Sequence, residues 1–430
     1  MVINKRGLVL GATAVVLSTV AVTGAGFRLS QSQAFFQESP KETVDEVWQI
    51  INRTYLDGTF NQSDWNAIRN QYLNRSYKNQ EEAYTAIREM LKTLNDPYTR
   101  FMDPKEFNNM KIDTSGELTG VGIQLTKDEK TKQLVVVSPI EDTPASKAGV
   151  LPKDVIISID GKSTEGMELE QAVSMIRGKV GTSVKITIQR GEEKKELTLT
   201  RAKIEIHPVR AHTENTPIGK VGYIRLNQFS AQASGDMSQA IRELESEEVK
   251  GYILDLRSNP GGLLYASIEI ARMWIPDGLI VSTVDRKGVT ERQRANNQAL
   301  TNKPLVVLVD GGSASASEIL SGALQDHDRA VIVGTKTFGK GLVQSVRSLS
   351  DGSGLAVTIA KYLTPDGRDI NKDGIHPDVE SELSEEDRKN LQQERDRVGT
   401  FQDPQFKKAF EILEKEIAEG KKTPTNTAKQ

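Results

Sequence analysis

The chain has 430 residues, room for two to four domains. Its 56 basic and 59 acidic residues nearly cancel, so nothing in the charge points to nucleic acid, and 37% hydrophobic content is ordinary for a water-soluble protein. There is no cysteine, which excludes disulfides, cysteine nucleophiles and thiolate metal sites. In chain order, Lys5 and Arg6 precede a weakly apolar stretch over 7–26, with small-residue signals at Thr23-Gly24-Ala25 and Ser32-Gln33-Ala34. This predicts an export leader over 1–34. Left uncleaved, the stretch would tether the chain to a membrane through its N-terminus. Over 35–109, Val44, Val47, Trp48, Ile51 and Tyr55 recur at helical spacing, as do Trp65, Ile68 and Tyr72, then Ala83, Ile87, Met90, Leu91 and Leu94. Asp96-Pro97-Tyr98-Thr99-Arg100-Phe101 ends that helical domain as a turn.

Residues 110–203 change character. Short β-rich runs at 121–125, 134–138, 155–159 and 184–189 alternate with turns, Asp160-Gly161 is a hairpin signal, and a helix fits 169–176. Gly120-Val121-Gly122-Ile123 resembles the carboxylate-binding loop of PDZ domains, and Thr143-Pro144-Ala145 through Ala148-Gly149-Val150 matches as well. That likeness implies capture of a free protein C-terminus. Glycine-loop N–H groups would bind the carboxylate, and the peptide would add to an exposed strand.

From 204 to 383 strands alternate with helices, which predicts a sheet with its working residues at the carboxyl edge. Strands are read at 221–226, 252–256, 305–309 and 330–333, and helices at 237–244, 266–274 and 318–324. The run 305–309 leads through Asp310-Gly311-Gly312 to three alternate serines, Ser313, Ser315 and Ser317, at a helix start. The next run ends in Gly339-Lys340-Gly341. Two consecutive parallel strands would bring Ser315 and Lys340 to one edge. Ser315-Ala316-Ser317-Glu318 also fits a plain capping box.

The arrangement resembles the carboxy-terminal processing peptidases, which pair serine with lysine. The resemblance runs from about 44 to 379. It implies Ser315 as nucleophile, Lys340 of Thr-Phe-Gly-Lys-Gly as general base and Gln344 as the residue orienting it. Gly261 or Gly262 of Asn259-Pro260-Gly261-Gly262, together with Ala316, would supply the oxyanion N–H groups. It also implies a gating role for Arg177, no cofactor and no metal. Within the family the chain looks most like cyanobacterial and plastid members, which include the enzyme trimming a photosystem II reaction-centre precursor. The fold expected is a multidomain α/β (α+β) protein: helical segment, PDZ-like β domain and an α/β core of the Clp protease/crotonase-like type.

For lysine to act as a base it must be neutral, and burial is what lowers its pKa. Lys340 is therefore expected to be buried, with Phe338, Leu342 and Val343 around it. Two motifs read as decoys. Residues 334–341 lack the Ser/Thr and the helix of a phosphate-binding loop, and 369–380 match a calcium loop without its flanking helices. Asp255 and Arg257 read as a structural pair, and 384–430 as a charged helical tail. The alternatives are a PDZ-based scaffold or chaperone for exported proteins with an inactive core, and an acyl-CoA enzyme of crotonase type.

Overall fold

The computed structural model describes residues 39–420 apart from 129, 141 and 289, together with Val15–Val16. The leader cleavage signals lie outside the described residues. The chain forms two compact units, one built from the residues up to Thr114 and from His207 onward, the other from Ser115–Ile206.

The larger unit begins with helices Pro40–Thr54, Trp65–Leu73 and Gln80–Lys92. Their starts are written locally. Asp64 accepts from the N–H of Ala67 and Asn79 from that of Glu82, satisfying donors that a helix start leaves open. Val44, Val47, Ile51, Ile87 and Met90 pack with Leu355 and Val357 of strand Gly354–Leu363. The helices are thus built onto the rest of the unit, and Trp48 locks two of them by donating from Nε1 to the carbonyl of Trp65 at 2.7 Å. The following helix, Pro104–Ser115, runs through residue 110, where the sequence suggested a domain start.

The main sheet runs in the order Val209–Thr216, Gly219–Leu226, Tyr252–Asp255, Leu305–Val309, Val331–Gly334, Val379–Glu380. The first pair is antiparallel and the others are parallel. Helices Ala233–Ser246, Leu264–Arg272 and Ala316–Asp326 bury Met237, Ile241, Ile270 and Leu320 in the core with Leu254 and Val307. The opposite face carries helix Pro404–Ala418, with Phe406, Ala409, Phe410 and Leu413 against Ile253, Val306, Leu308 and Val333. Covering on both faces explains why Leu305–Val309 is apolar throughout. The expected polar tail is therefore partly core.

A second sheet follows the order Leu342–Ser348, Gly354–Leu363, Leu279–Asp285, Thr290–Arg294, all antiparallel, with Arg100–Met102 paired to residues 354–356. Val15–Val16 pairs in parallel with Gln344 and Ser345.

The smaller unit is an antiparallel sheet in the order Ile123–Lys127, Leu134–Pro139, Val155–Ile159, Ser183–Arg190, Glu193–Thr200, with helix Leu169–Ile176 over a core of Val136, Ile156, Ala172, Ile186 and Ile188. Asp160 and Gly161 have φ of 47° and 77°, the left-handed pair that a tight hairpin demands. Strands Glu117–Gly120 and Ala202–Glu205 pair antiparallel, so the two ends of the unit lie side by side, as an inserted domain requires.

Candidate active site

Val309 and Gly334 are partners in the parallel ladder, and the N–H of Thr335 donates to the Val309 carbonyl. The serine turn and the lysine loop therefore leave the sheet at one edge. The serine turn is fixed by Asp310, which accepts from the N–H groups of Ser258 at 2.7 Å and Gly312 at 2.9 Å. Asn259 carries the neighbouring strand's end. Its carbonyl accepts from the N–H of Ala314 at 3.0 Å and from the Ser317 hydroxyl at 2.9 Å.

Glu318 joins the two loops. It is fully buried. Its Oε2 accepts from the N–H of Ser315 at 2.8 Å and of Lys340 at 2.9 Å, while Oε1 accepts from Thr337 Oγ1 at 2.6 Å and the N–H of Gly339 at 2.7 Å. One oxygen thus holds both nitrogens, so they can be no further apart than those two bonds allow. The sequence suggested a capping box here. The box is present, with the carboxylate reaching back to Ser315 N–H, while the buried Ser315 hydroxyl makes no hydrogen bond of ordinary geometry.

That separates the three serines. Ser313 Oγ donates to the Leu256 carbonyl at 2.8 Å and accepts from Asp310 N–H at 2.9 Å. Ser317 is spent on Asn259. Ser315 alone has an uncommitted hydroxyl, and it sits at φ 57°, ψ −110°, a strained conformation costing about 1–3 kcal/mol. Its bonded N–H, together with a carbonyl that accepts from Glu318 and Ile319, holds it there.

A Cβ on Gly261 would meet Ser315 Cβ at 2.9 Å and Ala316 N at 3.0 Å, so only glycine lets the two segments touch. The N–H of Gly261 is given to Asn259 Oδ1 at 2.9 Å. Those of Gly262 and Ala316 have no acceptor among the described residues. Ala316 opens a helix, where the dipole also favours an anion.

Lys340 is 1% exposed. Burial, aided by the Arg100 charge, lowers its pKa to about 7, against the pull of Asp96 and Glu318. The expected burial is present, but not all of the expected neighbours. Phe338 is 54% exposed, because its N–H donates inward to the carbonyl of buried Ser313 and its flanking residues are held by Glu318. The amine lies over the Tyr98 ring, with Nζ 4.8 Å from its centroid. Tyr362, fully buried, donates to the Lys340 carbonyl. Gln344 is buried in strand Leu342–Ser348, its Nε2 3.5 Å from Thr358 Oγ1 and its Oε1 unpartnered. A bulge between Val343 and Gln344 shifts the register there. The stretch after Lys340 is a strand, which leaves the phosphate-loop motif without its helix.

The calcium-like segment has another use. A Cβ on Gly341 would strike Asn371 N at 2.6 Å, and one on Gly339 would strike the Lys372 carbonyl carbon at 2.9 Å. This segment packs against the lysine loop. Its acids turn to cations instead, Asp369 to Lys361 and Asp373 to Lys336. Among the described residues no group of acids or histidines would hold a metal.

Asp255 and Arg257 form a buried network with Asp403, Gln405 and Tyr223. In the smaller unit, Gly120 ends strand Glu117–Gly120, and the Val121 and Gly122 carbonyls accept from Ala145 and Ile140 N–H. Gly122 has φ 80°, and a Cβ there would meet Thr143 at 2.3 Å. Ile123 begins an edge strand lying beside helix Leu169–Ile176. Arg177 ends that helix, its Cγ 4.0 Å from the place of a Gly120 Cβ. Sequence reasoning missed Glu318 as an anchor, as well as Tyr98 and Tyr362.

Residues 220–381 match the model of peptidase family S41 and 135–190 that of the PDZ domain. The carboxyl-terminal-processing protease of Synechocystis sp. is 49% identical, over 80% of this chain and 81% of that protein. The chloroplastic carboxyl-terminal-processing peptidase 3 of Arabidopsis thaliana is 42% identical, over 79% and 68%. Among solved structures, the photosystem II D1 C-terminal processing protease is 39% identical, with TM-score 0.54, covering 80% of this chain and 94% of that one.

Proposed function

The chain belongs to the S41 carboxyl-terminal-processing serine peptidases and carries a PDZ domain, and from that premise we propose how its residues divide the work. The loop at Gly120, Val121, Gly122 and Ile123 takes the free carboxylate of a protein substrate, and the polypeptide extends along the edge strand that Ile123 begins. Lys340, with a pKa lowered to about 7 so that a large share of it is neutral at that pH, accepts the proton of the Ser315 hydroxyl as Ser315 attacks the scissile carbonyl. The N–H groups of Gly262 and Ala316 hold the resulting oxyanion; losing one such donor costs roughly a hundred- to a thousandfold in rate. The lysine returns its proton to the leaving amine, then activates the water that releases the acyl-enzyme. Gln344 offers its unpartnered Oε1 to the amine, Arg177 couples tail binding to the site, and no cofactor takes part.

The observation that carries this reading is the uncommitted hydroxyl of Ser315, whose N–H shares one Glu318 carboxylate oxygen with the N–H of a buried, readily neutralised lysine. The substrate proposed is the precursor of a photosystem II reaction-centre protein, because the solved relative is a photosystem II D1 C-terminal processing protease and others are chloroplastic. The place of action is outside the cytoplasm, in a periplasm or thylakoid lumen, as the leader over 1–34 suggests. A peptide ending in the precursor's tail tests it. Ser315→Ala should bind that peptide and leave it whole, where the wild type cuts it. Continued cleavage by Ser315→Ala would move the nucleophile elsewhere, and binding without cleavage by the wild type would favour the scaffold alternative.

A further inference from the structure

We infer that Phe338 is a specificity-determining residue, its ring forming one wall of the subsite that receives a large apolar side chain of the substrate beside the scissile bond. The inference rests on the peptidase reading above.

Phe338 is 54% exposed, yet Lys340, two residues on, is 1% exposed. The backbone explains the contrast. Thr337 Oγ1 and the N–H groups of Gly339 and Lys340 are held by Glu318, and the N–H of Phe338 donates to the Ser313 carbonyl at 3.0 Å. Behind the loop, the main chain of residues 371–374 lies so close that a Cβ on Gly339 or Gly341 would strike it at 2.9 or 2.6 Å. The ring cannot turn inward without dismantling the frame that places Lys340. It is therefore displayed outward from a braced backbone, on the loop that carries the base. Its amide is bonded to the residue two before the nucleophile.

A carbonyl seated between the Ser315 hydroxyl and the N–H groups of Gly262 and Ala316 brings its neighbouring side chains within reach of that ring. A phenyl ring has no hydrogen bond to offer, so the partner it favours is apolar, and covering it removes from water surface that folding leaves exposed. Most large apolar side chains of the unit are buried. An exposed ring on a braced backbone beside the reacting groups, with only two side-chain torsions to order, instead supplies binding at modest entropic cost.

The test uses the full chain and peptides with one common C-terminal tail, in which each residue flanking the scissile bond is in turn Phe, Leu, Ala or Ser. The wild type should prefer a large apolar residue at one flanking position. Phe338→Ala should lower kcat/KM for those peptides by about tenfold or more, mainly through KM, while Ala and Ser peptides change by less than about twofold. Phe338→Leu should recover part of the preference, and the pH midpoint of kcat should stay in place. Uniform slowing of all peptides, an unchanged preference, or a moved pH midpoint would each overturn the inference, the last because the ring would then be acting through the lysine loop. If the wild type binds every peptide and cuts none, the peptidase reading falls and takes this inference with it.

Discussion

Replacing Lys340 with methionine should stabilise the fold at neutral pH while abolishing cleavage. Methionine keeps the length of the stem and drops the amine. Burial, aided by Arg100, takes that amine from 10.5 to about 7. Each pKa unit is about 1.4 kcal/mol, so confining the protonated amine costs the fold roughly 5 kcal/mol at the acid end. Relaxation around the new side chain should leave a net gain on the order of 2–4 kcal/mol. Between pH 7 and 10.5 the unfolded chain holds the proton and the folded chain has released it. Wild-type stability therefore climbs with pH across that window and is flat on either side. The methionine variant lacks the slope, so its advantage is full at pH 7 and below and fades toward 10.5. Urea midpoints between pH 6 and 9.5, in a Ser315→Ala background that prevents self-digestion, would measure this. The three tryptophans, Trp48, Trp65 and Trp274, all lie in the larger unit and report on it alone. A variant less stable at pH 7, or a difference that does not change with pH, would mean that the amine stays charged in the fold and would refute the argument.

Glu318→Gln presents an amide nitrogen where two donors need an acceptor, each costing about 1–3 kcal/mol, and should lower kcat by roughly a hundredfold or more through lost alignment. Because the Glu318 charge raises the Lys340 pKa, the residual activity should have its midpoint at lower pH, and an unmoved or higher midpoint would count against the hub. Arg100→Met removes the charge that helps lower that pKa, so the rate profile should shift to higher pH with its plateau kept. Ser313→Ala and Ser317→Ala should each retain cleavage and cost about 1 kcal/mol in stability; an acyl-enzyme lost in either would make that serine the nucleophile.

The parallel strands were readable because both of their faces are covered, which writes them as apolar runs such as Leu305–Val309. From two such runs the meeting of Ser315 and Lys340 at one edge followed. The second sheet was harder, since its strands turn Gln344, Ser345 and Thr358 inward and so break the hydrophobic pattern. Lysine burial could be argued from chemistry, but its surroundings could not. Tyr98 and Tyr362 arrive from distant segments, and Phe338, two residues before the lysine, is turned to solvent rather than packed on its stem. Glu318 carried a local signal, the capping box, that accounted for one of its four hydrogen bonds. Helix Pro404–Ala418 did leave a trace, with Phe406, Ala409, Phe410 and Leu413 at i, i+3, i+4 and i+7, masked by the lysines and glutamates between them.

That last helix bears on when the enzyme can work. Asp403, which caps it, and Gln405 both grip Arg257, two residues ahead of Asn259 and close to the glycines facing Ser315. A chain leaving the ribosome therefore exposes its serine and lysine long before the segment bracing the strand behind them has been made. A copy truncated before Asp403 would lack that brace, and its Ser315 and Lys340 should be less well aligned for hydrolysis.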